Sequence, residues 1–278
     1  MYQKKNEVIR TDLMKVAQKR YFNKFDKFDK TELDFLKHMS SNIKGPIKET
    51  INDLVNDISI FNELKKLQEE IANETPETLN ELEKNGFELL HTTIEGHGRN
   101  LISCRKLTDL YFFNDAESKF EALMYLSFQY FRTKKQKDSQ IENFKDTQLN
   151  IEKIYNVLAI ISAIRIAQNI SFDPNIHYNL LEISNNEISF ITCDQPVINL
   201  IGDELDDEGG AKDLIFYYPI SPKYAIMIDF KPEGEKFQHK NLKTEDVEKL
   251  NLKIVNEYHE FLFSDTDEQL KNYTQHRV

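Results

Sequence analysis

The chain is poor in cysteine and glycine, and these shortages exclude several classes of protein. Its 278 residues include two cysteines, Cys104 and Cys193, which stand far apart and in no metal-ligand spacing. This pattern offers neither a disulfide framework nor a zinc site, and it fits a reducing cytoplasm. With eight glycines and 40% apolar residues, the composition predicts an ordinary globular protein with a substantial core.

Long apolar runs are also missing. Residues Met1 to Arg10 are charged and contain no apolar segment of the signal-peptide kind. The most apolar run, Val157 to Ala167, is too short to span a bilayer and contains Arg165. We therefore expect a soluble, cytoplasmic protein with no membrane partner.

The chain has fewer basic than acidic residues: 36 lysines and arginines against 47 aspartates and glutamates, which gives a net charge of −11. Phosphate binding draws on clustered cations, so this balance argues against a broad nucleic-acid footprint. It still allows a nucleotide or nucleic acid at a local site. We interpret the lysine-rich start of the chain as a solvated surface.

What the chain does contain is helical periodicity, followed by a switch to strands. From Asn6 to Asn169 apolar residues recur every three or four positions, which predicts successive amphipathic helices. The apolar residues of Ile151 to Ile170 surround that helix, so we expect it to be central and buried. Breaks between helices are predicted at Gly45-Pro46, Asn73 to Pro76, Asn114-Asp115 and Asp173-Pro174.

Beyond Pro174 the period becomes two, and two β-hairpins are predicted. Strands 178–183 and 187–192 would flank the turn Asn185-Asn186, and strands 214–218 and 224–230 would meet at a corner with two prolines. Thr244 would open a long helix reaching Phe261, with a short helix after Asp265. The expected fold class is α+β: a helical region, 1–172, packs as one compact unit with an antiparallel meander and C-terminal helices, 173–278.

Glu95 stands in an unusual string, Ile94-Glu95-Gly96-His97-Gly98-Arg99. Each helical glycine costs about 1 kcal/mol relative to alanine, so close approach to another group is one explanation for the string. The alternative is a helix packed tightly on a neighbour, with Glu95 and Arg99 as a weak surface pair. His97 is interpreted as a surface or packing residue.

Gln129 and Arg132 share one face of a predicted helix whose neighbours are apolar. An arginine there is able to bind a carboxylate or phosphate with two parallel hydrogen bonds, which lysine cannot do. The competing interpretation is a structural salt bridge from Arg132 to Glu95 or Asp194.

Asp194 lies where Pro196 interrupts regular strand pairing, so its side chain is either presented as a site residue or used to organise the turn.

Asn251, among apolar neighbours, is expected to hydrogen-bond a loop backbone. Ser221 lacks the glycines of a nucleophile elbow, so Pro-Ile-Ser-Pro is interpreted as a corner. Walker, dinucleotide-binding and zincin motifs are absent from the sequence.

Taken together, several short blocks resemble the family called domain of unknown function 4238 (DUF4238). They are Glu95, Phe128 to Thr133, Phe190 to Val197, Tyr218 to Pro222, and Asn251 followed by Phe261 to Ser264. The family's usual opening, His-x-x-Pro-x-x-Tyr-Leu, has no counterpart, so the chain looks trimmed at its start. Cys193 and Gln195 replace the serine and asparagine that are common in the family. The resemblance implies a recurring site and, through bacterial and phage loci, a role in defence.

Two functions are therefore predicted. The first is a metal-dependent nuclease or phosphoesterase, in which Glu95 and Asp194 hold Mg²⁺ or Mn²⁺ or act as base while Gln129 and Arg132 orient a phosphate. The second is a binding or regulatory module in which the same polar residues form a structural network. A concave pocket beside a free carboxylate would favour the first, and mutual bonding without a cleft would favour the second.

Overall fold

The computed structural model of the chain is an α+β fold, as the sequence predicts. It describes residues 2–4, 7–9, 27–41, 43, 45, 47–71, 77, 81, 88–184, 187–202 and 213–274. The predicted break at Asn73 to Pro76 and the predicted turn at Asn185-Asn186 lie outside the described residues.

Helices make up most of the chain before residue 173. Within the described ranges they are α1 (Lys30–Ser41), α2 (Ile47–Ile71), α3 (Glu88–Gly96), α4 (Arg99–Ile102), a 3-10 helix (Leu107–Asn114), α5 (Ala116–Phe131), α6 (Lys134–Asn143) and α7 (Ile151–Phe172).

The helix boundaries follow the local chemistry that the sequence indicates. Gly45, with φ at +81°, separates α1 from α2 in a conformation that suits glycine. The carboxylate of Asp115 accepts the N–H of Ser118 at 2.9 Å and so caps α5. Asp173 follows the last residue of α7 in extended conformation. The predicted breaks at these three places are confirmed.

Helix α7 is the central helix of the core. By length and composition alone it could cross a membrane, but 61% of its most apolar stretch is buried inside the protein. Residues on all its sides are buried, among them Ile154, Val157, Ile160 and Ile164. Burial against other elements therefore accounts for its apolar character.

Strands and the remaining helices follow, apart from two short strands at the start. The strands are β1 (Tyr2–Lys4), β2 (Glu7–Ile9), β3 (Ile176–Ile183), β4 (Thr192–Cys193), β5 (Ile198–Asn199), β6 (Phe216–Pro219), β7 (Tyr224–Phe230), β8 (Phe237–Leu242) and β9 (Leu262–Phe263). The last helices are α8 (Thr244–Glu257) and α9 (Asp267–Thr274).

Two sheets result from the pairing of these strands. The larger one has the order β5-β6-β7-β3-β8, and the smaller one has the order β2-β1-β9-β4. Strands β6 and β7 pair antiparallel across the proline corner, as predicted. Strand β8, however, runs parallel to β3, so the larger sheet is mixed and the prediction of a purely antiparallel meander is wrong.

Three further predictions about elements are corrected. Residues 187–192 do not return along β3, because β7 and β8 already occupy both edges of that strand. Strand β2 lies where helical periodicity was expected to begin, at Asn6. Helix α8 ends at Glu257 instead of reaching Phe261, since Tyr258 is extended and the next residues turn toward Asp194.

The core lies on both faces of the larger sheet. Side chains that alternate along β3 point to opposite faces: Leu180 belongs to the cluster under α5 and α7, and Leu181 to the cluster under α8 and α9. This arrangement explains why β3 is buried at nearly every position. The first cluster includes residues from before and after residue 172, so apolar packing is continuous across that division.

Candidate functional site

Asp194 is a clamp for the segment between α8 and β9. Its carboxylate accepts three backbone N–H groups, from His259 at 2.9 Å, Glu260 at 2.6 Å and Phe261 at 3.2 Å. In return the Asp194 N–H donates to the carbonyl of Phe261 at 3.1 Å. Both carboxylate oxygens therefore serve the backbone of a distant segment rather than the turn in which Asp194 lies.

The neighbouring Gln195 fixes the same corner to the end of α5. Its side chain is fully buried, and its Nε2 donates to the carbonyls of Tyr130 at 2.9 Å and Val197 at 3.1 Å. Its Oε1 accepts the hydroxyl of Thr133. Since buried amides are costly when unpaired, this network ties the strand corner to α5. Burial also raises the pKa of the adjacent Cys193 thiol far above its usual range, which leaves a neutral sulfur.

Asn251 performs the loop-fixing role that the sequence predicts. It lies fully buried on α8, where its Oδ1 accepts the N–H of Ile191 at 3.1 Å. Its Nδ2 donates to the Ser189 carbonyl at 2.8 Å and to the hydroxyl of Tyr273 at 3.1 Å. One side chain thus joins α8, the segment before β4, and α9.

Glu95 lies at the end of α3 and pairs with Arg132 rather than with Arg99. The distance between Glu95 Oε1 and Arg132 Nη1 is 2.5 Å, and the two side chains are 53% and 38% exposed. The predicted alternative of a salt bridge from Arg132 to Glu95 is therefore confirmed. An exposed pair of this kind contributes about 0–1 kcal/mol, so it opens readily.

Close packing explains one of the two glycines next to Glu95. A Cβ on Gly98 would lie 2.6 Å from the ring of Tyr125, whereas one on Gly96 would meet nothing within 4 Å. His97 Nδ1 lies 3.1 Å from Glu121 Oε1, and the His97 side chain is partly exposed. Packing against Tyr125, not ligand approach, accounts for Gly98.

Tyr125, Gln129 and Arg132 form one face of α5, spaced four and three residues apart. The hydroxyls of Tyr125 and Tyr218 are 2.9 Å apart. Burial raises the pKa of both phenols, and the positive charge of Arg132 acts in the opposite direction on each. Both hydroxyls are therefore protonated and lie within electrostatic range of the guanidinium.

Gln129 is the member of this face whose side chain has no described hydrogen-bond partner at all. Its side chain is 5% exposed, and its amide forms no hydrogen bond in the part of the chain that the structure describes. The Gln129 amide atoms are not among the fully buried side-chain atoms that lack a partner in the described residues, so this amide is not an unsatisfied core group and is able to meet solvent or a ligand.

The predicted site residues therefore meet only in part. Glu95, Gln129 and Arg132 lie together, whereas Asp194 makes no hydrogen bond or ion pair with Glu95 or Arg132 in the described ranges. The two groups are linked through the end of α5, because Thr133 contacts Gln195. Among the described residues, no group of three or more acidic, histidine or cysteine side chains is arranged to hold a metal ion.

A cavity of about 600 Å³ lies elsewhere, beside α9. Ser189, Asp265, Gln269 and Tyr273 contribute to its wall, and none of the four predicted site residues does. The Ser189 hydroxyl lies 2.5 Å from Asp265 Oδ1 and 2.6 Å from Gln269 Oε1. These contacts hold the start of α9 against the segment before β4.

Sequence reasoning missed the roles of Tyr125 and Thr133 and treated Gln195 as a mild variation. Gln195 carries a readable signal, since an amide next to Pro196 at a strand corner is well placed to bond neighbouring carbonyls. Tyr125 has no such signal, because its spacing is that of an ordinary core residue. Its hydroxyl partner, Tyr218, is on a strand that follows much later in the chain.

No protein-family model, curated protein or solved structure matches this chain. The resemblance to DUF4238 is therefore neither supported nor contradicted, and it stays a prediction.

Proposed function

We propose that this chain is a non-enzymatic binding or regulatory module and that Asp194, Gln195 and Asn251 are its structural framework. The observation that supports the proposal most is the use of both Asp194 oxygens by three backbone N–H groups. These bonds use three of the roughly four lone-pair sites of the carboxylate, so a metal ion or a substrate proton at Asp194 would be limited to the remaining site on Oδ1 or would have to displace one of them. Hydrogen bonds to a charged acceptor are worth about 1.5–3 kcal/mol each, so displacement is expensive.

The ligand of such a module would meet the face of Tyr125, Gln129 and Arg132. Gln129 and Arg132 are residues of the predicted site that the framework does not use. We propose that the protein acts in the cytoplasm, in keeping with its two free, buried cysteines. Membership of DUF4238, and with it a role in bacterial or phage defence, is part of the same proposal.

A metal-dependent nuclease or phosphoesterase is the second candidate. It is favoured by the exposed carboxylate of Glu95 beside Arg132 and Gln129, a combination that suits a hydrated Mg²⁺ or Mn²⁺ and a phosphate. In this candidate Asp194 would be the second ligand, either through the lone pair of Oδ1 that no described backbone N–H uses or after release of the loop that it clamps.

Hydrolysis assays separate the two candidates. The wild-type protein, Glu95→Gln and Asp194→Asn are incubated with single- and double-stranded nucleic acids, nucleotides and phosphodiesters in the presence of Mg²⁺ or Mn²⁺. We expect no metal-dependent turnover above background. Turnover that both substitutions abolish, in variants that remain folded, would overturn the binding proposal in favour of the hydrolase.

Stability measurements test the structural role of Asp194 directly. We expect Asp194→Asn to lower the free energy of unfolding by about 1–3 kcal/mol, because the loss of charge weakens three hydrogen bonds at once. The matched control, Asp57→Asn on the exposed side of α2, should change it by less than about 0.5 kcal/mol. Equal effects of the two substitutions in urea titrations would contradict the clamp.

A further inference from the structure

The hydrogen-bond donors on the face of Tyr125, Gln129, Arg132 and Tyr218 outnumber their acceptors. The two tyrosine hydroxyls share one hydrogen bond, so one of them keeps a proton with no acceptor in the described residues. Gln129 adds an amide NH₂ group without a described partner. Arg132 uses Nη1 for Glu95 and has no described acceptor for Nη2 or Nε.

The positive charge of Arg132 on this face is neutralised by one weak ion pair. Glu95 is the carboxylate paired with Arg132, and more than half of its side chain is exposed. A competing anion would exchange one exposed ion pair for a charge-assisted bond to the same guanidinium. That anion would also reach donors that Glu95 does not use.

We propose that this face binds a small oxyanion, a phosphate or a carboxylate, and that Glu95 occupies Arg132 when the ligand is absent. The guanidinium would bind two ligand oxygens in parallel, while the Gln129 amide and one tyrosine hydroxyl donate to the remaining oxygens. The inference rests on the proposed binding function and names its ligand class. It involves no covalent step and no metal.

Packing of the face suits recognition rather than broad electrostatic attraction. Tyr125 and Gln129 are each 5% exposed, so most of each side chain packs against its neighbours. The guanidinium carbon of Arg132 lies over the Phe128 ring, 6.0 Å from its centre. The face as defined holds one guanidinium, which matches one anionic group, and the net charge of −11 disfavours a long polyanion.

The test is titration with inorganic phosphate, adenosine monophosphate and acetate at constant ionic strength, followed by calorimetry and by NMR shifts of the Gln129 side-chain amide. We expect saturable binding of at least one of the three. Preference for phosphate and adenosine monophosphate over acetate identifies a phosphate site, and the reverse identifies a carboxylate site. Absence of saturable binding by all three overturns the inference.

The affinities of four variants test whether the anion binds at this face. Arg132→Gln should weaken binding at least about tenfold, because a charge-assisted fork is lost. Gln129→Leu should weaken it about two- to tenfold. Glu95→Gln should strengthen it by up to about fivefold, since it removes the competing carboxylate. The control Arg99→Gln removes the same charge from an exposed arginine and should leave affinity within about twofold.

The outcomes separate this inference from the proposed function. Equal weakening by Arg132→Gln and Arg99→Gln, or no gain from Glu95→Gln, overturns the oxyanion site even if the protein proves to be non-enzymatic. Metal-dependent turnover together with the predicted pattern of affinities overturns the binding function and leaves the oxyanion site standing. Gln129→Glu, which repels an anion without removing volume, replaces Gln129→Leu if the latter does not fold.

Discussion

At the scale of single residues, the role of a polar side chain is decided by what lies across from it. Asp194 and Glu95 are both acids at the ends of regular elements, yet Asp194 is used by three backbone N–H groups and Glu95 by one exposed arginine. Breaking the three hydrogen bonds of Asp194 costs several kcal/mol, whereas breaking the exposed ion pair of Glu95 costs about 0–1 kcal/mol. A ligand is therefore expected to replace the contact between Glu95 and Arg132 more easily than any contact of Asp194.

Gly98 and Gly96 form a matched pair for testing close packing. We expect Gly98→Ala to lower the free energy of unfolding by about 1–3 kcal/mol, because the new methyl would overlap the Tyr125 ring. Gly96→Ala is helical and meets open space, so it should stabilise the protein by up to about 1 kcal/mol. Thermal melting measures both, and stabilisation by Gly98→Ala would contradict the packing.

Cys104 predicts a decline in stability at alkaline pH. Burial raises the pKa of its thiol from 9.0 to about 12, so the folded protein holds a proton that the unfolded chain releases. A folded-state pKa above the unfolded value gives stability that is complete below pH 9 and is lost as pH rises toward 12. We expect the urea midpoint to fall between pH 8 and 10, and to fall less in Cys104→Ala. Identical slopes in the two proteins would refute this cause.

At the scale of elements, Asn251 joins three of them, and its removal should loosen all three. Asn251→Ala leaves the Ile191 N–H and part of the Ser189 carbonyl's bonding unmet in a buried site. We expect a loss of about 2–4 kcal/mol in the free energy of unfolding. Asn256→Ala, at an exposed position of the same helix, is the control and should cost less than about 0.5 kcal/mol.

Hydrogen exchange adds a structural readout to this prediction. The amides of β4 and α9 should exchange faster in Asn251→Ala, whereas those of α5 should not change. Unaltered exchange in β4 and α9 would show that Asn251 does not join them.

The sequence predicts those elements whose cause is local. Helix α7 is recognised because its own apolar residues surround it, and α5 because Asp115 caps it. The course of residues 187–192 was predicted wrongly, because it depends on β7 and β8 taking both edges of β3. Such competition between distant strands leaves no mark on periodicity.

For the site too, features with a local cause were predictable and contacts between distant segments were not. The shared face of Gln129 and Arg132 is a consequence of helical spacing and is readable from the sequence. The pairing of Tyr125 with Tyr218 and the use of Asp194 by residues 259–261 join segments far apart in the chain. Polar residue types were recognisable in advance, but their partners were not.

At the scale of the whole molecule, continuous apolar packing across residue 172 predicts cooperative unfolding. The cluster that contains Leu126 of α5 also contains Leu180 of β3. We expect far-ultraviolet circular dichroism and tyrosine fluorescence to report one coincident transition, since the chain has 12 tyrosines and no tryptophan. Leu126→Ala and Leu180→Ala should each lower the free energy of unfolding by about 2–5 kcal/mol, and the transition should stay single. Two separated transitions would indicate independently folding halves.

The position of β3 in the larger sheet has a consequence for how the protein is made. Both of its neighbours, β7 and β8, come later in the chain, so the ribosome releases β3 well before either partner exists. Until then a strand that the folded protein buries at nearly every position has two open edges, the condition under which nascent chains aggregate. Chaperone demand during translation should therefore peak between the emergence of β3 and that of β8.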